Sequence, residues 1–500
     1  LAGLAACGGG GGGPATAPDG SAWVDPNTYS ANALSALTTP NEHTAVSHGS
    51  VTVGGTAVAY TATAGHLSVP DAGGAPEASM FYVAYTADGA APAGRPVTFF
   101  FNGGPGSSTA WLHLGSWAPR RLVTGVPATT QAAPFPYVDN PDSLIDTSDL
   151  VFVDAVGTGL SEAISPHRNE DFWSVDADGA VFRDFVTRWL AANGRTASPL
   201  FIYGESYGTV RAPLLTRLLE TAGTPVAGLV IQSSILDYNS NCSITSRQTA
   251  GCGGFLPSYA AVGEYWNLVT PAGPDTAGFL DQVRSYADTV YEPLADQWLD
   301  EGSPSTPPAG ADLATLQADT GLAQSWWSTH FDMDFDTYRH HLLADTVLGV
   351  YDGRMSARPG TPLAADDDPS NTFIYAPFQQ AMGSVLAQLG FTTPATYVLE
   401  SNAIASWDFS HAGRALPDVV PDLQAALALE PTLKVLSIGG EHDLITPFHQ
   451  TELDLARLDA GAPVTSHFYA GGHMVYLNDP SRAALKADLA AFYASAQGAR

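Results

Sequence analysis

The sequence predicts an α/β protein: a mostly parallel central sheet with flanking helices, interrupted by a largely helical insertion. Three observations predict it. Short continuous apolar runs recur at Val97–Phe101, Leu150–Asp154, Leu200–Tyr203, Gly228–Ile231, Leu433–Ile438 and His467–Tyr469, the pattern of strands buried on both faces of a parallel sheet. Helical patterns follow several of them, at Val175–Ala192, Tyr207–Glu220, Thr451–Asp459 and Pro480–Ala496, which implies right-handed crossovers. The interval 237–395 breaks this alternation.

The chain has 500 residues, enough for a sizeable core. Charged residues make up 14% and the formal charge is −30, so no basic surface is available for nucleic acid. No run of about 18 apolar residues predicts a membrane-spanning helix. Along the chain, 1–20 reads as a signal remnant and glycine-rich tether, because Leu4-Ala5-Ala6-Cys7 precedes six glycines. This is the pattern of a lipoprotein signal in which Cys7 becomes lipidated. An extracytoplasmic bacterial location is the expectation, with membrane contact only through that anchor. Residues 40–236 read as the first part of the core. Alternation over about 45–90, as in Val51-Thr52-Val53 and Met80–Tyr85, predicts antiparallel strands with one wet face. Residues 237–395 read as a cap and 396–500 as the second part of the core. Cys242 and Cys252 stand ten residues apart in a polar loop, and an even remaining pair in an oxidising compartment predicts a disulfide. In the cap, Trp326 and Trp327 are expected in a hydrophobic core. His340-His341 and Asp366-Asp367-Asp368 are expected to be solvated or structural. No metal or cofactor site is read.

The chemistry starts at Leu200–Gly208, where a strand runs into Gly204-Glu205-Ser206-Tyr207-Gly208 and a helical pattern. Gly-x-Ser-x-Gly in that context is the nucleophile elbow of the α/β-hydrolase fold. A serine hydroxyl needs a general base, and the base an orienting acid. In this fold the chain order is Ser, acid, His. Asp443 follows the run Leu433–Ile438, with Glu441 and His442 as local competitors. His473 follows His467–Tyr469 in a glycine turn. Ser206, Asp443 and His473 are therefore the expected catalytic triad. The run Val97–Phe101 ends in Asn102-Gly103-Gly104-Pro105-Gly106-Ser107-Ser108, whose glycines leave N–H groups uncovered. The N–H groups of Gly104 and Tyr207 are the expected oxyanion hole. The turn Asp154–Ser161 reads as a structural turn at the rim of the site.

Together the segments Asn102–Ser108, Val156-Gly157-Thr158-Gly159, Gly204–Gly208 and Gly472-His473-Met474-Val475 resemble the serine carboxypeptidase family. The resemblance implies a peptidase releasing C-terminal residues through an acyl-enzyme on Ser206, acting on peptides with a free C-terminus. It also implies that Asn102 and Glu205, with Gly103 in the same turn, grip the substrate α-carboxylate. A carboxyl beside a carboxylate is driven to its protonated form, so the resemblance implies an acidic working range. The chain departs from the family pattern at Phe100, where Trp is usual, and at Ser107, where Cys is common. It has no Glu between Gly106 and Leu160 to act as the family's second recognition carboxyl. By alignment His113 falls near that place, with Arg120 and Arg121 behind it. The alternatives are an esterase or acyltransferase using the same triad, and a non-catalytic binding module.

Overall fold

The computed structural model describes residues 20–244, 251–269, 275–302 and 309–498. Cys7 and the glycine tether lie outside the described residues. No described helix is long and apolar enough to cross a membrane.

Ten strands form the main sheet: β1 (Thr44–Val53), β2 (Thr56–Pro70), β3 (Pro76–Ala87), β4 (Val97–Phe101), β5 (Asp149–Val153), β6 (Glu162–Ala163), β7 (Leu200–Glu205), β8 (Val226–Gln232), β9 (Lys434–Gly440) and β10 (Val464–Tyr469). Their order is β10-β9-β8-β7-β4-β5-β3-β2-β1, and β6 pairs with β3. From β10 to β5 every pairing is parallel, and β3, β2 and β1 close that side antiparallel. The chain therefore has the α/β-hydrolase architecture expected of it, a mixed sheet whose central strands are parallel.

The continuous apolar runs occupy the middle of this sheet because both faces there are covered. In β4, Phe99 and Phe101 point to one core, with Phe182, Phe185 and Trp189 of the helix Val175–Ala192. Phe100 points to the other, among Trp111, Tyr203 and Tyr493. The helix Val175–Ala192 starts where Ser174 Oγ accepts a bond from Ala177 N–H, satisfying one of the unpaired donors of its first turn. The strand β3 differs from expectation, being buried over eight consecutive residues rather than wet on one face. Tyr82 packs on Phe185 from one side (5.8 Å), and Phe81 packs on Phe391 from the other (5.2 Å). The helix expected at Thr451–Asp459 begins earlier, at Phe448, directly after Pro447.

Between β8 and β9 the described chain lies largely in helices. Phe255, Tyr259, Tyr291, Trp327 and Tyr338 build a separate core, which meets the main body at Leu444 and Phe448. Cys242 and Cys252 are joined as a disulfide at its entrance. The helix Pro369–Gln388 turns back and packs Phe378 against Trp111 (4.9 Å).

One buried ion pair braces the end of β4. Arg211, on the helix Gly208–Thr221, donates to Asp178 through Nε (2.7 Å) and to the Asn102 carbonyl through Nη1 (2.9 Å). Both side chains are almost fully enclosed, so each charge depends on the other. Asp178→Ala leaves a buried guanidinium unpaired, and the expected loss is about 3–5 kcal/mol. A loss under about 1 kcal/mol by denaturant titration would contradict this reading.

Candidate active site

Strand β7 delivers Ser206 at the carboxyl edge of the sheet. Its φ is +59°, a left-handed conformation that costs a non-glycine residue about 1–3 kcal/mol. Ser206 N–H donates to the Gln232 carbonyl (3.1 Å), and the helix Gly208–Thr221 begins two residues later. A Cβ on Gly208 would stand 2.6 Å from the Phe101 carbonyl oxygen. Only a glycine lets the helix start so close to β4.

The loops after β9 and β10 bring Asp443 and His473 together. His473 Nδ1 lies 2.8 Å from Asp443 Oδ2, and both side chains are buried. Asp443 also accepts from Thr446 Oγ1 (2.6 Å) and from the N–H groups of Ile445 (3.0 Å) and Thr446 (3.1 Å). The carboxylate is thus aimed before any reaction. His473 is fixed at its backbone, with N–H donating to the Tyr351 carbonyl (2.6 Å) and C=O accepting from Ser233 Oγ (2.6 Å). Burial works against its charged form, but Asp443 and then Glu205 outweigh it, so its pKa stands above the ordinary value. Ser206 and His473 border one cavity of about 340 Å³. No hydrogen bond joins Ser206 to His473 among the described contacts, and catalytic contacts of this kind commonly tighten when substrate binds.

The turn after β4 lies directly against the elbow. A Cβ on Gly103 would overlap the Tyr207 nitrogen, so the two backbones touch with no side chain between them. Gly104, with φ +104°, turns the chain at the cavity wall. Neither the Gly104 nor the Tyr207 N–H donates to another described group. Two free donors beside the serine suit a developing oxyanion.

Asn102 and Glu205 meet beneath this turn. Asn102 Oδ1 accepts from Leu112 N–H (2.9 Å), which orients the amide so that Nδ2 donates to Glu205 Oε1 (2.7 Å). Gln232 Nε2 donates to Glu205 Oε2 (2.8 Å), while Gln232 Oε1 accepts from Tyr203 OH (2.6 Å). Gln232 Nε2 also lies 3.4 Å from the His473 carbonyl. Burial pushes the Glu205 pKa up to about 7, against the opposing pull of His473 and the Asn102 hydrogen bond. Glu205 therefore changes charge near neutrality.

Other residues singled out from the sequence lie elsewhere. His113 does not reach the cavity. Its Nε2 is 2.7 Å from Tyr85 OH and its ring stacks on Phe152 (4.9 Å) within the core. Burial lowers its pKa to about 3, so it supplies no cation to Glu205. The helix Ala110–Gly115 is the reason, since it points Trp111 to the cavity and turns His113 to the sheet. Arg120 stacks on Tyr137 (4.3 Å), and Arg121 pairs with Asp479 (2.8 Å). No described hydrogen bond joins Glu441 or His442 to His473; the His442 ring is buried against Tyr265. Trp327 is core, and Trp326 packs against that core with its ring tilted beside His341, centroids 3.6 Å apart. His340 sits beside Asp367 (3.0 Å), where Arg339 already pairs with Asp336 and Asp367. The sequence reading missed Thr446, Gln232, Tyr351 and Glu400. Only Thr446 carried a local signal, a hydroxyl three residues after the acid.

Residues 54–243 match the model of the serine carboxypeptidase family. No curated protein matches the chain. The chain is similar to the prohormone-processing carboxypeptidase KEX1(DELTA)P of Saccharomyces cerevisiae, at 15% identity and TM-score 0.54, over 86% of this chain and 91% of that one. Proline iminopeptidase of Mycobacterium smegmatis aligns at 16% identity and TM-score 0.35, over 87% and 99%. An esterase of Thermogutta terrifontis aligns at 13% and 0.37, over 86% and 99%. The segment matched by the family model contains both the Asn-Gly-Gly-Pro-Gly turn and the elbow serine.

Proposed function

We propose that the protein releases C-terminal residues from peptides, with Ser206 as nucleophile, His473 as base and Asp443 as its orienting acid. The observation that carries this reading is the Asn102–Glu205 pair at the floor of the cavity, bonded at 2.7 Å beside Ser206. A general esterase has no use for a buried, amide-held carboxyl next to its nucleophile. A peptidase that needs a free C-terminus does.

The steps derive from the groups present. The substrate α-carboxylate seats against Asn102 Nδ2 and Glu205. Ser206 Oγ attacks the scissile carbonyl as His473 Nε2 takes its proton, and the N–H groups of Gly104 and Tyr207 receive the oxyanion. His473 returns the proton to the leaving amine, and the free amino acid departs. Water activated by His473 then hydrolyses the acyl-enzyme. The lone pairs of Glu205 face like charge on the substrate, so the protonated form binds. With the Glu205 pKa at about 7, that form predominates below neutrality.

Blocked dipeptides with free or amidated C-termini test this. The free acid is expected to be cleaved and the amide spared, and Ser206→Ala to lose about 10⁴-fold or more in kcat. KM for the free acid is expected to be lowest below about pH 7 and to climb as Glu205 ionises. Equal cleavage of acid and amide would assign a general esterase or amidase instead.

Gln232 sharpens the pH prediction. Its N–H bond stabilises the ionised Glu205. Gln232→Leu removes that bond, so the pKa rises and the climb in KM moves to higher pH. The expected move is about one pH unit, the worth of one hydrogen bond. An unmoved midpoint in a folded variant would contradict the network.

A further inference from the structure

A short hairpin of the insertion between β8 and β9 reaches the triad from outside the sheet. Its strands Val347–Leu348 and Ser356–Ala357 pair antiparallel, and the loop 349–355 that joins them lies across the two loops carrying Asp443 and His473. Val350 C=O accepts from Leu444 N–H (3.2 Å), and Gly353 N–H donates to the His442 carbonyl (3.0 Å), so the residues on either side of Asp443 are both held. Tyr351 C=O accepts from His473 N–H (2.6 Å). A Cβ on Gly472 would stand 2.2 Å from that Tyr351 oxygen and 2.6 Å from Asp352 Cβ. The hairpin loop and the histidine loop therefore touch with no side chain between them.

The hairpin loop is itself held by a buried ion pair. Arg354 Nε and Nη2 donate to the two oxygens of Asp352 (2.9 and 2.7 Å), with the side chains 5% and 9% exposed. Asp352 Oδ1 also accepts from Arg354 N–H (3.1 Å), which closes the turn. The remaining arm, Nη1, donates to Asn478 Oδ1 (3.2 Å). Asn478 Nδ2 in turn donates to the Ala470 carbonyl and to Ser481 Oγ (2.7 Å), and Ala470 is where the chain leaves β10 toward His473. Arg354 thus links the loop that accepts His473 N–H to the start of the loop that carries His473. On the other side, Val350 N–H donates to Asp368 Oδ1 (3.0 Å) and Tyr351 N–H to Ser370 Oγ (3.1 Å), which seats the hairpin on the helix Pro369–Gln388. Neither Arg354 nor Asp352 borders the cavity of Ser206.

We propose that Arg354 is a positioning residue for the triad: paired with Asp352 and bonded to Asn478, it keeps the loop 349–355 at the spacing that holds His473 Nδ1 on Asp443. This assignment rests on the triad named above. The guanidinium is needed for its shape. One planar group reaches both oxygens of Asp352 and a third on Asn478, and an ammonium has no such fork. Without it, Asp352 is a buried carboxylate with no cation, and the backbone acceptor of His473 loses its place. No described hydrogen bond joins the loop 349–355 to Asn102 or Glu205, so the effect falls on the chemical step rather than on the carboxylate grip.

The test compares wild type with Arg354→Lys and with the double variant Arg354→Met/Asp352→Leu. The double variant exchanges a buried ion pair for apolar groups, which commonly preserves stability, so a loss of rate there is not a loss of fold. Three quantities are read: kcat and KM for a blocked dipeptide with a free C-terminus, the rate on p-nitrophenyl acetate, and the low-field proton resonance of the His473 Nδ1–H bond to Asp443. Both variants are expected to lose about 10²-fold in kcat on the dipeptide and on the ester, the scale of a displaced catalytic group. KM for the dipeptide is expected to stay within about twofold of wild type, and the low-field resonance to be lost. If Arg354→Lys does not fold, the double variant decides alone. A folded variant with wild-type kcat, or a loss confined to KM, overturns the assignment. The ester needs the triad but not the carboxylate grip. A wild type that cleaves the ester and spares free-acid peptides therefore overturns the exopeptidase reading, and the ester rates of the variants still decide the role of Arg354.

Discussion

The site depends on two turns meeting backbone to backbone. The turn after β4 and the elbow after β7 leave no room for a side chain between Gly103 and Tyr207 N, or between Gly208 and the Phe101 carbonyl. That contact sets the free N–H groups of Gly104 and Tyr207 beside Ser206. It also brings Asn102 onto Glu205. Arg211, paired with Asp178, holds the Asn102 carbonyl from below. The parallel order β7-β4-β5 makes the meeting possible, since adjacent parallel strands end at one edge.

Electrostatics then divides the labour. Asp443 accepts from Ile445 and Thr446 and lies 2.8 Å from His473 Nδ1. Glu205, held by neutral amides in a buried place, changes charge near neutrality. The proposed base must be neutral to accept a proton, whereas the proposed carboxylate grip needs a proton on Glu205. These demands overlap only over a limited pH range. Gln232 bonds Glu205 and approaches the His473 backbone, so the grip and the base share one scaffold.

Much of this was legible in the chain itself. The parallel strands announced themselves as continuous apolar runs because helices cover both faces, and the elbow did so because a strained serine needs small neighbours at fixed spacing. Asp443 and His473 followed from chain order and came together as read. What failed has physical causes. Linear alignment sent His113 toward the cavity, but the helix that aims Trp111 at the cavity turns His113 to the core. Gln232 ends a buried strand and looks like a strand terminus until Tyr203 and Glu205 stand around it. Glu400 lies roughly 300 residues from Asn102 in the chain, and only backbone pairing of its segment with Gly106, Ser108 and Gly159 brings it to the same wall. Long-range contacts of that kind leave no periodic mark.

The most direct measurement is a crystal structure of Ser206→Ala with a blocked dipeptide that has a free C-terminus. The account predicts the α-carboxylate within hydrogen-bonding distance of Asn102 Nδ2 and Glu205, and the scissile carbonyl oxygen at the N–H groups of Gly104 and Tyr207. A peptide bound in the opposite sense, with its carboxylate away from Asn102 and Glu205, would contradict it.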